Sequence, residues 1–154
     1  MKPTTLMLAA VLATALLPSF PSLAAQSTHV DDASLQKEIA AALDASAAAW
    51  SRGDLAAFMA LYENSPEIRY INPQGMTQGY SQIQAMYGAR FGKHEPMGAL
   101  SIALIEVRRV GPEYAFVTGR FTLKQAGGKI ATGLTTLLFH RADGQWRIIS
   151  DHTS

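Results

Sequence analysis

The sequence predicts an α+β domain: three N-terminal helices packed on one face of a strongly curved antiparallel sheet. Three observations carry that expectation. Apolar residues between Leu35 and Phe91 recur at helical spacing. Beyond Pro96 and Gly98 the pattern changes to strand-like runs, at 100–110, 114–125, 129–141 and 145–153. The pairs Gly111-Pro112, Gly127-Gly128 and Asp143-Gly144 separate these runs, as hairpin turns do.

The first helix is expected over 34–51, capped by Asp31 or Asp32, after a loose N-terminus at 25–33. Leu35, Ile39, Leu43, Ala47 and Trp50 form its inward stripe, and its many alanines favour the helix. Gly53 then stops it, and Asp54 caps a second helix over 55–62 that carries Phe58, Met59 and Tyr62. Trp50 and Phe58 are expected to be buried near each other. Residues 68–72 read as a short strand ended by Pro73 and a turn at Gly75. A third helix over 81–91 follows Gly79-Tyr80, with Ser81 as its cap and Ile83, Met86, Tyr87 and Phe91 inward.

Size and composition narrow the possible functions. A chain of 154 residues, 48% hydrophobic and 16% charged, makes one packed domain. With 13 Lys and Arg against 12 Asp and Glu, it lacks the basic excess of a nucleic-acid binder. It has no cysteine, which excludes disulfides, thiolate metal sites and cysteine nucleophiles. The four histidines show no metal-ligand spacing, and no phosphate loop or Ser-His-Asp order appears, so neither metal nor cofactor is expected. At the N-terminus Lys2, the apolar run 6–17 and Ser22-Leu23-Ala24 read as a secretory signal cleaved after Ala24 or Ala25. Twelve apolar residues are too few to span a bilayer, which takes about 20. The mature protein is expected to be exported, periplasmic or secreted, with no membrane segment.

Several motifs occur together in a recognisable order. Trp50-Ser51-Arg52-Gly53-Asp54 is followed by Phe58 and Tyr62, then by Gly79-Tyr80, and the chain ends Asp143-Gly144-Gln145-Trp146-Arg147-Ile148-Ile149-Ser150-Asp151-His152-Thr153-Ser154. This pattern resembles the nuclear transport factor 2-like superfamily, and within it the SnoaL-like group, close to the association (hub) domain of calcium/calmodulin-dependent kinases. The likeness runs over 35–154. It implies a cone-shaped, cystatin-like roll, with a sheet roofed by helices that encloses a pocket for small, largely apolar molecules. It also implies a homodimer packed through the outer face of the sheet. Apolar residues on both parities of the long strands, such as Leu134 and Leu138 against Leu137 and Phe139, agree with that.

Function is less determined than fold, because this superfamily holds isomerases, cyclases, hydrolases and oligomerisation domains. The steroid-isomerase branch needs a carboxylate base on its first strand, and Ile68-Arg69-Tyr70-Ile71-Asn72 has none. Cyclases of the group use an aspartate late in the sheet, where Asp151 stands. The hub domain has a pocket arginine at the position of Arg120 and a histidine matching His152, in a pocket that accepts carboxylates. Its other two pocket arginines fall on Leu137 and Thr153. Arg120 is therefore expected in the cavity, paired with Asp151, Glu106 or a ligand carboxylate, with Tyr70, Asn72 and His152 around it. Strict alternation puts Asp151 and His152 on opposite faces unless a bulge intervenes.

The leading expectation is an exported protein that binds a small apolar or carboxylate-bearing molecule. The first alternative is an isomerase, cyclase or hydrolase using Asp151 or His152 as general acid–base. The second is a homo-oligomerisation module.

Overall fold

A computed structural model describes residues 24–93 and 95–154, so the signal sequence expected at 1–24 lies, up to residue 23, outside the described residues, as does His94. In chain order the elements are α1 (Ala24–Arg52), α2 (Leu55–Met59), β1 (Arg69–Asn72), β2 (Gly75–Gln78) and α3 (Tyr80–Phe91). Then come β3 (Ala99–Gly111), β4 (Tyr114–Lys124), β5 (Ile130–Ala142) and β6 (Gln145–Thr153). The six strands form one sheet in the order β2-β1-β6-β5-β4-β3, and α1 lies across it against β3 and β6.

The helices follow the periodicity, with three corrections at their ends. α1 starts at Ala24, so 25–33 is helical rather than loose; no Gly or Pro in that stretch breaks a helix. α2 stops at Met59, short of Tyr62, because the chain leaves the helix to lie against β6. Ile148 N–H donates to the Leu61 carbonyl, and Glu63 N–H donates to the Ile148 carbonyl. α3 is capped by Gly79 rather than Ser81. The turn between α1 and α2 forms as its residues dictate: Gly53 takes φ 73°, and the Asp54 side chain accepts from Ala57 N–H at 3.0 Å.

The four long strands lie where the sequence predicts them, within a residue or so at each end. At the β5–β6 hairpin Asp143 and Gly144 both have positive φ, 53° and 75°, which makes this tight turn fit the twist of its strands. Two features escaped the sequence reading. β2 is a separate strand paired with β1, and β1 runs parallel to β6 rather than antiparallel. One-residue register shifts interrupt β3 at Ile105 and Val110 and β6 at Ile149.

The core sits between the helices and the inner sheet face. Trp50 packs edge-on against Phe58 at 5.4 Å and Phe91 at 5.3 Å between ring centroids, as the glycine-capped turn predicts for the first pair. Its indole N–H donates to the Met97 carbonyl at 3.2 Å, which ties α1 to the lead-in of β3. Ile39, Ile83, Val117 and Phe139 are fully buried around it.

Candidate functional site

A cavity of about 170 Å³ opens between the helices and the inner face of the sheet. Leu43 and Trp50 of α1, Phe58 of α2, Leu100 and Ile102 of β3, and Phe121 and Leu123 of β4 make most of its wall apolar. Apart from Ser46, whose hydroxyl donates to the Phe58 carbonyl, the polar groups on its wall cluster about Asp151 and make a polar end of Tyr62, Tyr70, Tyr87, Thr135, Asp151 and Thr153.

Asp151 is the centre of that polar end. Its carboxyl accepts from the Tyr62 hydroxyl at 2.7 Å, from Thr153 at 3.1 Å and from Thr135 at 3.3 Å. A carboxylate has about four acceptor positions, so three hydroxyls leave one open. Burial nonetheless raises its pKa above the ordinary carboxylate value, against the lowering effect of these hydrogen bonds and of His152. Burial likewise drives the Tyr62 and Tyr87 hydroxyls well above the usual phenol range, with the nearby Asp151 charge adding to it. Tyr87 couples in turn to Tyr62 and Tyr70, so three phenols and one carboxyl form a single cluster.

A β-bulge creates this site. Phe139 pairs with Ile148 but Leu138 pairs with Ser150, so Ile149 is the extra residue on β6. Before the bulge Trp146 and Ile148 point inward; after it Asp151 and Thr153 do. If the intact sequence alternated from Trp146 onward without a bulge, Ser150 would point inward and Asp151 outward. The hook at the end of α2 supplies the partner: Tyr62 bridges to Ile148 on β6, three residues from Asp151.

The expected constellation around Arg120 does not form. Arg120 is exposed on the outer face, opposite Ala103 and Leu134, with Tyr114, Phe116 and Thr118 on its side of β4. The other parity, Ala115 to Leu123, faces the helices, since it carries no charge to desolvate. Glu106 pairs with Thr118 and is exposed, so it meets neither Arg120's expected cavity position nor Asp151. His152 is also exposed, on the outer face opposite Thr136. Asn72 caps the β1–β2 turn instead of lining the cavity: its side-chain oxygen accepts from Gln74 N–H at 2.9 Å and Gly75 N–H at 3.1 Å. Of the five expected residues, Asp151 and Tyr70 line the cavity.

Tyr62, Tyr87, Thr135 and Thr153 complete the polar end, and the sequence carries a signal for some of them. Tyr62 falls four residues after Phe58, on the stripe that must face the core, and a buried phenol needs a partner. Thr135 alternates with Leu137 and Phe139, so it too faces inward.

The family model of the SnoaL-like domain matches residues 39–154. The chain belongs to the SnoaL-like family. An NTF-2 like protein of unknown function from Shewanella oneidensis is 30% identical, with a TM-score of 0.73 over 77% of this chain and 98% of that one. A nuclear transport factor 2 (NTF2-like) superfamily protein from Salmonella enterica matches at 24% identity and TM-score 0.61, over 79% and 91% of the two chains. A candidate calcium/calmodulin-dependent protein kinase type II association domain from Thiobacillus denitrificans matches at 23% and 0.63, over 74% and 91%. These last two show the shared fold alone. No curated protein matches the chain.

In this SnoaL-like domain the buried carboxyl makes stability depend on pH. The folded state holds the Asp151 proton more tightly than the unfolded chain, so its contribution is fully present below the unfolded value of 3.8. That contribution is lost as pH rises through the higher folded value. Asp151→Asn therefore stabilises the protein at neutral pH, by about 0.5–2 kcal/mol, and flattens this part of the profile. Urea denaturation of both proteins from pH 4 to 8 measures it. Parallel profiles would show that the carboxyl is as easily ionised folded as unfolded.

Proposed function

We propose that this SnoaL-like protein binds a small, largely apolar molecule anchored by one hydrogen bond to Asp151. One observation carries the reading: the apolar cavity ends in a single carboxyl with one acceptor position still open. Size limits the ligand. A cavity of about 150 Å³ holds benzene, so about 170 Å³ takes a molecule of roughly seven non-hydrogen atoms. A steroid-sized ligand needs the several hundred Å³ of ordinary ligand pockets. A carboxylate-bearing ligand is disfavoured, because Arg120 stands on the far side of the sheet.

Binding is tested by titrating the protein with cyclohexanol and following the fluorescence of Trp50, which lines the cavity. Saturable quenching is expected. Ile102→Trp, which fills the cavity from the edge strand β3, abolishes it while circular dichroism stays native. Equal binding by the filled variant would place the ligand elsewhere.

The same carboxyl supports a second reading, catalysis of the isomerase, cyclase or hydrolase kind. An aspartate whose pKa burial raises above the ordinary carboxylate value can both give and take a proton. Asp151→Asn would then abolish turnover with little change in affinity. His152, on the outer face, has no part in this reading.

Export and pairing belong to the proposal. The Lys2, 6–17 and Ser22-Leu23-Ala24 series supports cleavage, which N-terminal sequencing of the mature protein checks. Tyr114, Ile130 and Leu134 are 40%, 59% and 41% exposed on the outer face of the sheet, and a second copy would cover them. Light scattering of the mature protein should give twice the monomer mass of about 14 kDa (at roughly 110 Da per residue).

A further inference from the structure

Among the described residues, Asp151 is the single formally charged one lining the cavity. Around it stand six aromatic rings, those of Trp50, Phe58, Tyr62, Tyr70, Tyr87 and Phe121. Several are in mutual contact: Phe58 and Tyr87 lie 4.9 Å apart, and Tyr70 and Tyr87 5.6 Å. Aromatic rings attract cations through the negative potential of their faces, and a desolvated site strengthens that attraction. A buried carboxylate with no cation on its own side of the sheet, His152 lying on the outer face, gains from the same charge. From this juxtaposition we propose that the ligand of the cavity is a small organic ammonium ion, paired with Asp151 and enclosed by the aromatic wall. The inference rests on the binding reading above and adds the ligand's charge.

Burying an ion pair is favourable only when both partners keep their hydrogen bonds. Here three hydroxyls already solvate the carboxylate, whether or not a ligand is present. Its open acceptor position takes one ammonium N–H. The Tyr70 and Tyr87 hydroxyls, on the same wall, have lone pairs for others. An anionic ligand of the same size would meet the Asp151 charge and find no cation.

Three probes of similar size separate the possibilities by charge: cyclohexylamine, cyclohexanol and cyclobutanecarboxylate. Titration calorimetry at about pH 8 should find the ammonium bound about tenfold or more tighter than the alcohol, and the carboxylate not bound. Its affinity should rise with pH as Asp151 loses its proton. The other titratable groups near Asp151 are Tyr62, Tyr70 and Tyr87 on the cavity wall and His152 on the outer face. Asp151→Asn isolates the carboxyl from these, and should bring the ammonium down to the affinity of the alcohol. Phe121→Leu, which removes a ring and leaves the carboxyl in place, should weaken the ammonium severalfold and spare the alcohol. Cyclohexanol binding as tightly as the ammonium would overturn the charge assignment and leave the cavity reading standing. No binding of any probe would overturn both.

Discussion

Trp50→Ala is expected to lower the free energy of unfolding by about 3–5 kcal/mol, the range for removing a large buried aromatic side chain. Trp50 is 9% exposed and does three jobs at once. It fills the space between α1, α2 and α3, in contact with Phe58, Tyr87 and Phe91. It ties Met97 through its indole N–H. It also forms part of the cavity wall, so truncation enlarges the cavity. That last point separates packing from the hydrogen bond. Trp50→Phe keeps most of the contact area and should cost about half as much or less. Guanidinium denaturation followed by circular dichroism gives both numbers. A loss below about 1 kcal/mol for Trp50→Ala would mean that the three helices collapse onto the gap without it.

Inserting one alanine between Ser150 and Asp151 should have an effect of similar size by a different route. The inserted residue takes the place opposite Leu137, which turns Asp151 and Thr153 outward and His152 inward. Tyr62 and Thr135 then lose their acceptor, and each unsatisfied buried hydroxyl costs about 1–3 kcal/mol. A destabilisation of about 2–5 kcal/mol is expected. Loss of the Asp151-dependent pH profile should accompany it. The control is deletion of Ile149, which removes the extra residue but leaves Ser150 opposite Leu138 and Asp151 opposite Leu137, and should keep the pH profile. If the insertion variant still shows the profile, the added residue has been absorbed into a larger bulge, and the hydroxyl network rather than strand register holds Asp151 inside.

Most of the fold was legible because local rules and long-range packing agree along most of this chain. Helical and strand-like apolar patterns separate cleanly near Pro96, and the Gly53-Asp54 and Asp143-Gly144 turns form as their residues demand. The family motifs lie on the same elements: Trp50, Phe58 and Tyr62 face the core, and the closing Asp143 to Thr153 run is a hairpin turn and β6. The departures are at places where tertiary contacts outweigh local preference. α2 ends early because residues 61–63 hydrogen-bond to β6, a partner more than eighty residues away in sequence. β1 pairs parallel to β6 for the same reason: strand direction depends on where the chain returns, not on the four residues of the strand.

The site was legible only in part. Sequence alone named Asp151 and Tyr70 as cavity residues and made Tyr62 a core-facing phenol. It could not choose the inward parity of β4, since both sets of side chains include residues fit to be buried. Helix packing decided that choice, placing the uncharged Ala115, Val117 and Phe121 set inside and leaving Arg120 in water. Nor could it reveal the extra residue in β6, because a bulge leaves composition and hydrophobic content unchanged and shows only in the pairing. Sequence thus determined the helices, the long strands and the family. The tertiary structure decided which charges face the cavity, because a one-residue shift of register exchanges the two faces of a strand.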